Sequence, residues 1–343
     1  MRRAFLFHPS DLRKRRLRCQ PIIEQLRSFK RETVDGCNVC GGSRAVILAS
    51  QDRYGFPIRT AMCTCCGLIY LVDRFTAASY GEFYHRGLYR SLVAAFKGHA
   101  PCDRPNPGWL EATQVSYARQ IGSAFREYFE KLPSNAQVLD IGGGVGLVAQ
   151  QFVKRYGFSG TVIDPSREVH AAEQLGLRAI VGSVETWDSH EQFDLILLCR
   201  TIEHVFDLRS SLQRISGLLK PGGLCFCDIA EFMEVCRRDG PPQAATKIDH
   251  CFWLTQESAA PIFHACGFEI LSSHVTTGPD QIGYLLAPVA PAPVRPIGEA
   301  EMNRQLRTYR ECEADWQYSA GIPAGPVDWV RQRAYRVKRR VLQ

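Results

Sequence analysis

The chain has 343 residues, 45% of them apolar and 22% charged, which suffices for a sizeable core and two domains, or one large domain with attachments. These proportions exclude wholesale disorder, collagen and coiled coil, and no window supplies the ~18 consecutive apolar residues of a membrane span. The net charge of +7 sits at the ends: residues 1–35 and 331–343 carry +6 each, which leaves −5 for the body. A mildly acidic body lacks the contiguous positive face of a duplex-binding protein. The basic ends, Arg13–Arg18 and Arg331–Arg340, read as solvated tails or docking helices, with contact to RNA or to an anionic membrane surface as the alternatives.

At the N-terminus the apolar run Ala4–Phe7 stops at His8-Pro9, shorter than a secretory core, so a cytoplasmic protein is expected. A short helix is expected from Pro21 to Glu32. The fourteen cysteines are spread along the chain but include two close pairs, which favours reduced thiols and one metal site over a disulfide framework. Cys37-Asn38-Val39-Cys40 and Cys63-Thr64-Cys65-Cys66 are two C-x₂-C knuckles. Cys37, Cys40, Cys63 and Cys66 would place four thiolates tetrahedrally around Zn²⁺, a structural site because no position is left for water. Cys65 is an alternative to Cys66, though Cys63/Cys66 has the proper spacing.

Past an aromatic stretch holding Tyr80, Tyr84 and Tyr89, the segment Pro101–Pro107 reads as a linker. Leu110, Gln114, Tyr117, Ile121, Phe125, Tyr128 and Leu132 then recur at helical steps from Pro107. From there short β-branched runs alternate with helical ones: strands at Gln137–Ile141, Thr161–Ile163, Arg178–Val181, Phe193–Leu198, Leu224–Ile229, Phe268–Ser272 and Ile282–Ala287, helices starting at Val145, Ser166, Leu208 and Thr255. That alternation means βαβ crossovers and a mainly parallel sheet, with the last two strands an antiparallel edge pair. Pro288–Pro296 reads as a stiff linker, followed by a charged helix near Ala300–Asp315 and a basic one near Val327–Leu342.

The first strand closes on Asp140-Ile141-Gly142-Gly143-Gly144-Val145-Gly146, a glycine-rich turn opening a helix, where the backbone can approach a ligand and free amides await it. Asp164 ends the second strand twenty-odd residues on, as a ribose-binding carboxylate would. Val181-Gly182-Ser183-Val184-Glu185 ends the third. Cys199-Arg200-Thr201-Ile202-Glu203-His204-Val205 follows the fourth, and Leu218-Leu219-Lys220-Pro221-Gly222-Gly223 turns into the fifth.

With that ordered set, residues 136–287 resemble a class I S-adenosylmethionine-dependent methyltransferase of the broad small-molecule type. The resemblance implies an α/β fold: a Rossmann-like seven-stranded methyltransferase sheet, here with a small N-terminal four-cysteine zinc ribbon and a helical C-terminal tail. It implies S-adenosylmethionine as cofactor, with Gly142 and Gly144 facing its methionine part, Asp164 the ribose and Val184 the adenine through its backbone, and with Asp140, Gly146 and Ser183 also in the cofactor site. Many relatives have Asp where Ser183 stands. Cys199 falls at the cofactor rim; it lacks the Pro-Cys context of a pyrimidine C5-methyltransferase nucleophile. The expected division is a basic segment 1–35, a ribbon 36–75, a linker and helical cap 76–132, the methyltransferase domain 133–290 and a tail 291–343.

A ribbon ahead of such a domain resembles the sugar C-methyltransferases and their relatives, or ribosomal RNA guanine methyltransferases with an N-terminal zinc finger. The first resemblance implies a small-molecule acceptor, a nucleotide-linked sugar or glycan-type intermediate; the second implies RNA gripped by ribbon and tails. Asp249-His250 after the fifth strand matches the acidic-His pair of the sugar enzymes, so His250 is expected to be the general base and Asp249 to orient it and hold its pKa near neutrality. Glu203-His204 is the competing pair. Tyr80, Tyr84 and Tyr89 are expected across the acceptor site from His250. No Asn/Asp-Pro-Pro-Tyr/Phe run follows the fourth strand, which argues against amino-methylation of adenine or glutamine.

Overall fold

The computed structural model describes residues 5–100 and 107–320. The linker expected at Pro101–Pro107, save its last residue, and the basic helix expected near Val327–Leu342 lie outside them. The chain opens with α1 (Pro9–Leu26), then β1 (Arg31–Thr33), β2 (Ala45–Ala49), β3 (Thr60–Cys63), β4 (Ile69–Leu71), β5 (Asp73–Phe75), α2 (Ala77–His85) and α3 (Leu88–Lys97). The N-terminal helix therefore starts earlier than its pattern predicted and stops before Glu32, which lies in β1 paired with β5. Proline at the first helical position and the His8 ring accepting from the Ser10 amide set that start.

Next come α4 (Pro107–Ala124), α5 (Arg126–Phe129), β6 (Gln137–Ile141), α6 (Leu147–Tyr156), β7 (Ser159–Asp164), a 3-10 segment (Arg167–Leu175), β8 (Arg178–Val181) and β9 (Phe193–Leu198). The helix expected through Leu132 breaks at Phe125, whose φ of −117° turns its ring against Phe226 and Phe129. The rest is α7 (Leu208–Gly217), β10 (Leu219–Ala230), α8 (Phe232–Asp239), α9 (Pro242–Ala245), β11 (Phe252–Trp253), α10 (Gln256–Ala265), β12 (Phe268–Gly278), β13 (Gln281–Pro288) and α11 (Glu299–Ala320).

Seven strands form one sheet in the order β12-β13-β10-β9-β6-β7-β8. β10, β9, β6, β7 and β8 run parallel, and β13 pairs antiparallel with both β10 and β12. This is an α/β fold with a mostly parallel seven-stranded sheet. Leu195–Leu198 of β9 are buried on both faces, as a central parallel strand between two helical layers requires. The strand order reverses between β6 and β9, so the loops after their carboxyl ends flank the crevice where such sheets bind ligands.

A second sheet, β11-β4-β3-β2, carries the cysteine knuckles. Its outer strand β11 comes from the chain segment after β10, with Phe252 opposite Tyr70 and Trp253 opposite Ile69. The Asn38 side chain and the Val39 carbonyl also accept from Arg209 in the first turn of α7. The cysteine sheet is thus stitched to the large one at two places. At the far side α11 packs on α8 and α1, and the Trp316 indole donates to the Phe7 carbonyl at 2.7 Å.

Candidate active site

The loop after β6 carries the glycine-rich turn. Gly144 has φ +56°, and a Cβ there would meet nothing within 4 Å: its α-carbon faces open space. Gly142 and Gly146 serve packing, since a Cβ would strike Thr201 at the first and Leu177 and Ala172 at the second. Asp140 lies beneath this turn, fully buried. Burial pushes its pKa up to about 7, opposed by the Ala149 amide in the first turn of α6 and helped by the nearby Asp164 charge.

Asp164 reaches back to the same turn: its Oδ2 accepts from the Gly144 amide at 2.9 Å and its Oδ1 from the Ser166 amide at 2.8 Å. Ser183 is tied into a local turn with Thr186, and the Val184 side chain is buried in the core. The Cys199 thiol, beside Asp140 and Asp228, is held well above its usual pKa by burial.

The groups around His250 gather where the loop 241–251 meets the cysteine sheet and α2. Asp52, at the tip of the β2–β3 connection, is completely buried and accepts three backbone N–H groups, from Tyr54, Phe56 and Ile248, at 2.8–3.0 Å. The Arg53 amide donates to the Thr246 carbonyl, its guanidinium pairs with buried Asp239 at 2.6 Å, and the Tyr80 hydroxyl donates to the Ile248 carbonyl. These contacts hold Lys247–His250 from outside the parallel sheet.

His250 is 6% exposed and His204 packs edge-on against it, ring centroids 4.5 Å apart. Lys247 Nζ lies 2.9 Å from His250 Nε2, while Asp249 is 3.6 Å from the same nitrogen, beyond hydrogen-bond reach. The Asp249 carboxylate and His250 Nδ1 are buried with no partner among the described residues. The expected orientation of the ring by Asp249 is therefore not made; Lys247 holds it instead. Nor is the His250 pKa near neutrality: burial, then the Lys247, His204 and Arg53 charges, push it well below the usual value. Burial also lowers Lys247, to about 8. Glu203, whose carboxylate accepts from the Ala230 amide at 2.6 Å, is raised to about 7 by burial and then by Asp228.

Tyr84 and Tyr89 stand over this group, each ring 6.4 Å from His204, and the Tyr84 hydroxyl donates to the Asp249 carbonyl. Sequence reasoning singled out these tyrosines but missed Lys247 and Asp52. Lys247 carried a signal, three residues before His250; Asp52 carried none, because its partners are backbone amides as far as 196 residues away in the chain.

The knuckles converge as well. Cys37 and Cys66 sulfurs are 3.4 Å apart, Cys40 and Cys63 3.5 Å, and all four lie within 4.8 Å of one another. Cys65 is outside the group. Hydrogen bonds from Cys37 and Cys66 pull the Cys63 thiol far down, while Cys63 pushes Cys37 up to about 12 and Cys37 and Cys63 together push Cys66 up. Four thiolates at this density need a cation to be charged together.

Residues 113–273 match the family described as a methyltransferase domain. That segment, just under half of the chain, is a methyltransferase domain. A ubiquinone biosynthesis O-methyltransferase of Nitrobacter winogradskyi is 33% identical over 132 residues, 36% of this chain and 49% of that protein. Another, of Caulobacter vibrioides, is 38% identical over 98 residues, 26% and 38% of the two. The chain spans about half the length, or less, of these curated relatives. An S-adenosylmethionine-dependent methyltransferase from Clostridium acetobutylicum aligns with a TM-score of 0.43 at 16% identity, covering 52% of this chain and 92% of that one. A mitomycin 7-O-methyltransferase aligns at 0.44 and 16%, covering 61% and 60%. The methyltransferase domain accounts for the glycine turn and Asp164, but not for the cysteine sheet.

Proposed function

We propose that the protein methylates a small-molecule acceptor, a nucleotide-linked sugar or glycan-type intermediate, with S-adenosylmethionine as donor. The observation that carries this reading is the open Gly144 turn with the fully buried Asp140 carboxylate beneath it, inside the segment that matches the methyltransferase domain. A cofactor bearing an ammonium and a sulfonium suits that anion. The Gly144 turn over Asp140 would hold its methionine part, with Gly142 and Gly146 letting that turn pack on Thr201 and Leu177, Asp164 the ribose, Ser183 and Val184 the adenine, and Cys199 at the rim. When bound, S-adenosylmethionine supplies an electrophilic methyl group whose leaving group needs no acid. The remaining tasks are alignment and removal of a proton.

His250 is suited to the second task through Nδ1, its unpartnered nitrogen. While Lys247 is an ammonium it donates to Nε2, so the ring proton sits on Nδ1 and blocks it. Once Lys247 is neutral, Nε2–H donates to Nζ and Nδ1 is free to take the acceptor's proton. The proton on Nε2 then passes to Lys247. Asp249, unpaired and buried, accepts a hydroxyl of the acceptor. The four knuckle thiolates would hold one structural Zn²⁺: tetrahedral ligands ~2.3 Å from the metal stand roughly 3.8 Å apart, close to the spacings here. Titration calorimetry with S-adenosylhomocysteine tests the reading, and no binding at ~1 mM, about 4 kcal/mol, would sink it.

A further inference from the structure

Arg200 is the one non-glycine residue with left-handed backbone among the described residues, φ +55°. That region disfavours any residue with a Cβ, so a specific contact must hold the chain there. The hold comes from Asp228. Leu198, which ends β9, pairs with Cys227 of β10, so Asp228 stands one position beyond the parallel ladder, next to an amide that no strand partner takes. Its fully buried carboxylate accepts the Arg200 N–H at 2.6 Å on Oδ1 and the Tyr117 hydroxyl of α4 at 2.7 Å on Oδ2. Two donors require two acceptor oxygens, which a carboxylate has and a carboxamide lacks. The Arg200 side chain itself is exposed, with its guanidinium 4.6 Å over the Tyr117 ring.

The residue after Arg200 is the one that meets the glycine turn. A Cβ added at Gly142 would come within 2.7 Å of both Thr201 Oγ1 and Thr201 Cγ2, so the Thr201 side chain lies directly against that glycine. Thr201 is fixed locally on both sides: its hydroxyl donates to the Cys199 carbonyl at 3.1 Å, and its carbonyl accepts the His204 amide at 2.9 Å. A right-handed residue at position 200 would turn the chain at this point and lift Thr201 off the glycine turn.

We infer that Asp228 is a positioning residue for cofactor binding: it holds Arg200 in left-handed backbone and so seats Thr201 as the wall against which the turn 142–146 keeps its shape. The inference rests on the proposed methyltransferase function and adds to it a residue on a different strand from the turn it supports.

The test is S-adenosylhomocysteine affinity, by titration calorimetry on the full chain, with the melting temperature measured alongside. Arg200→Gly adopts left-handed backbone freely and should bind at least as tightly as the parent. Arg200→Val carries a β-branched side chain that opposes it and should bind at least ~5-fold more weakly, the low end of the left-handed backbone cost written as an equilibrium ratio. Asp228→Asn, left with one acceptor for two donors, should weaken binding in the parent chain by a similar factor. In the Arg200→Gly background that loss should shrink to ~2-fold or less, because glycine needs no hold. Equal affinities of Arg200→Val and Arg200→Gly overturn the inference. So does an Asp228→Asn loss of the same size in both backgrounds, or a lowered melting temperature with affinity unchanged, which would mark a merely structural carboxylate. If Asp228→Asn fails to fold, the comparison of glycine with valine at the exposed position 200 decides alone. Absence of binding to the parent would overturn the methyltransferase reading and this inference with it, whereas the other adverse results, obtained with a parent that binds, overturn the inference only.

Discussion

Two residues in the buried acceptor-side cluster have pKa values set near the working range by desolvation, and each makes a prediction. With Lys247 at about 8, kcat should rise through that pH as the ammonium releases His250, and the limb should vanish in Lys247→Met. A profile with the same limb in that variant would remove Lys247 from the proton path. His250→Ala should lower kcat by ~10²–10⁴-fold, the range of general base catalysis, at unchanged S-adenosylhomocysteine affinity. Glu203 works in the other direction. Its folded pKa of about 7 stands above the ordinary 4.5, so its contribution to stability is complete below pH 4.5 and is lost as pH rises through 7. Glutamine keeps the acceptor for the Ala230 amide without the charge. The gain in melting temperature of Glu203→Gln should therefore be larger at pH 8 than at pH 5, and a gain independent of pH would contradict the burial argument.

At the level of elements, the β2–β3 connection acts as a clasp on the loop that bears His250. Asp52 satisfies three amides that water cannot reach, one of them on that loop. Each buried amide left without an acceptor costs ~1–3 kcal/mol, so Asp52→Ala should lose about 3 kcal/mol or more in urea unfolding. Because the cofactor turn lies on other strands, S-adenosylhomocysteine affinity should hold while kcat falls. Affinity falling in parallel with kcat would show that the clasp organises the whole crevice. The N-terminal helix takes part too: the Arg16 guanidinium donates to the carbonyls of Asp52, Arg53 and Gln243, and Arg18 to those of Ala95 and Phe96. A basic run that reads as a solvated tail or RNA grip is, for these two residues, an internal brace.

For the molecule as a whole, the cysteine sheet, loop 241–253 and α7 are joined through β11 and Arg209, so loss of the metal should reach the acceptor side. Elemental analysis of protein purified without added metal should find one zinc per chain. Cys40→Ser should lose that zinc and unfold the N-terminal part, seen as lower near-ultraviolet ellipticity and exposure of Tyr70 and Trp253. Well-folded protein with a zinc stoichiometry near zero would remove the metal from this account. No helix among the described residues is long and apolar enough to cross a membrane.

Features that depend on local spacing were legible in the residues alone. The seven strands, the antiparallel edge pair, the glycine turn and the convergence of the two knuckles all follow from periodicity and short motifs, which act within a few residues of one another. The tertiary structure alone decided what those motifs face. Whether Asp249 or Lys247 holds His250, that Asp52 grips a loop 196 residues away, and that Arg200 is held in left-handed backbone by Asp228 are outcomes of packing between distant segments. The pKa values shift for the same reason: desolvation is set by everything that surrounds a group, and no run of neighbouring residues encodes it.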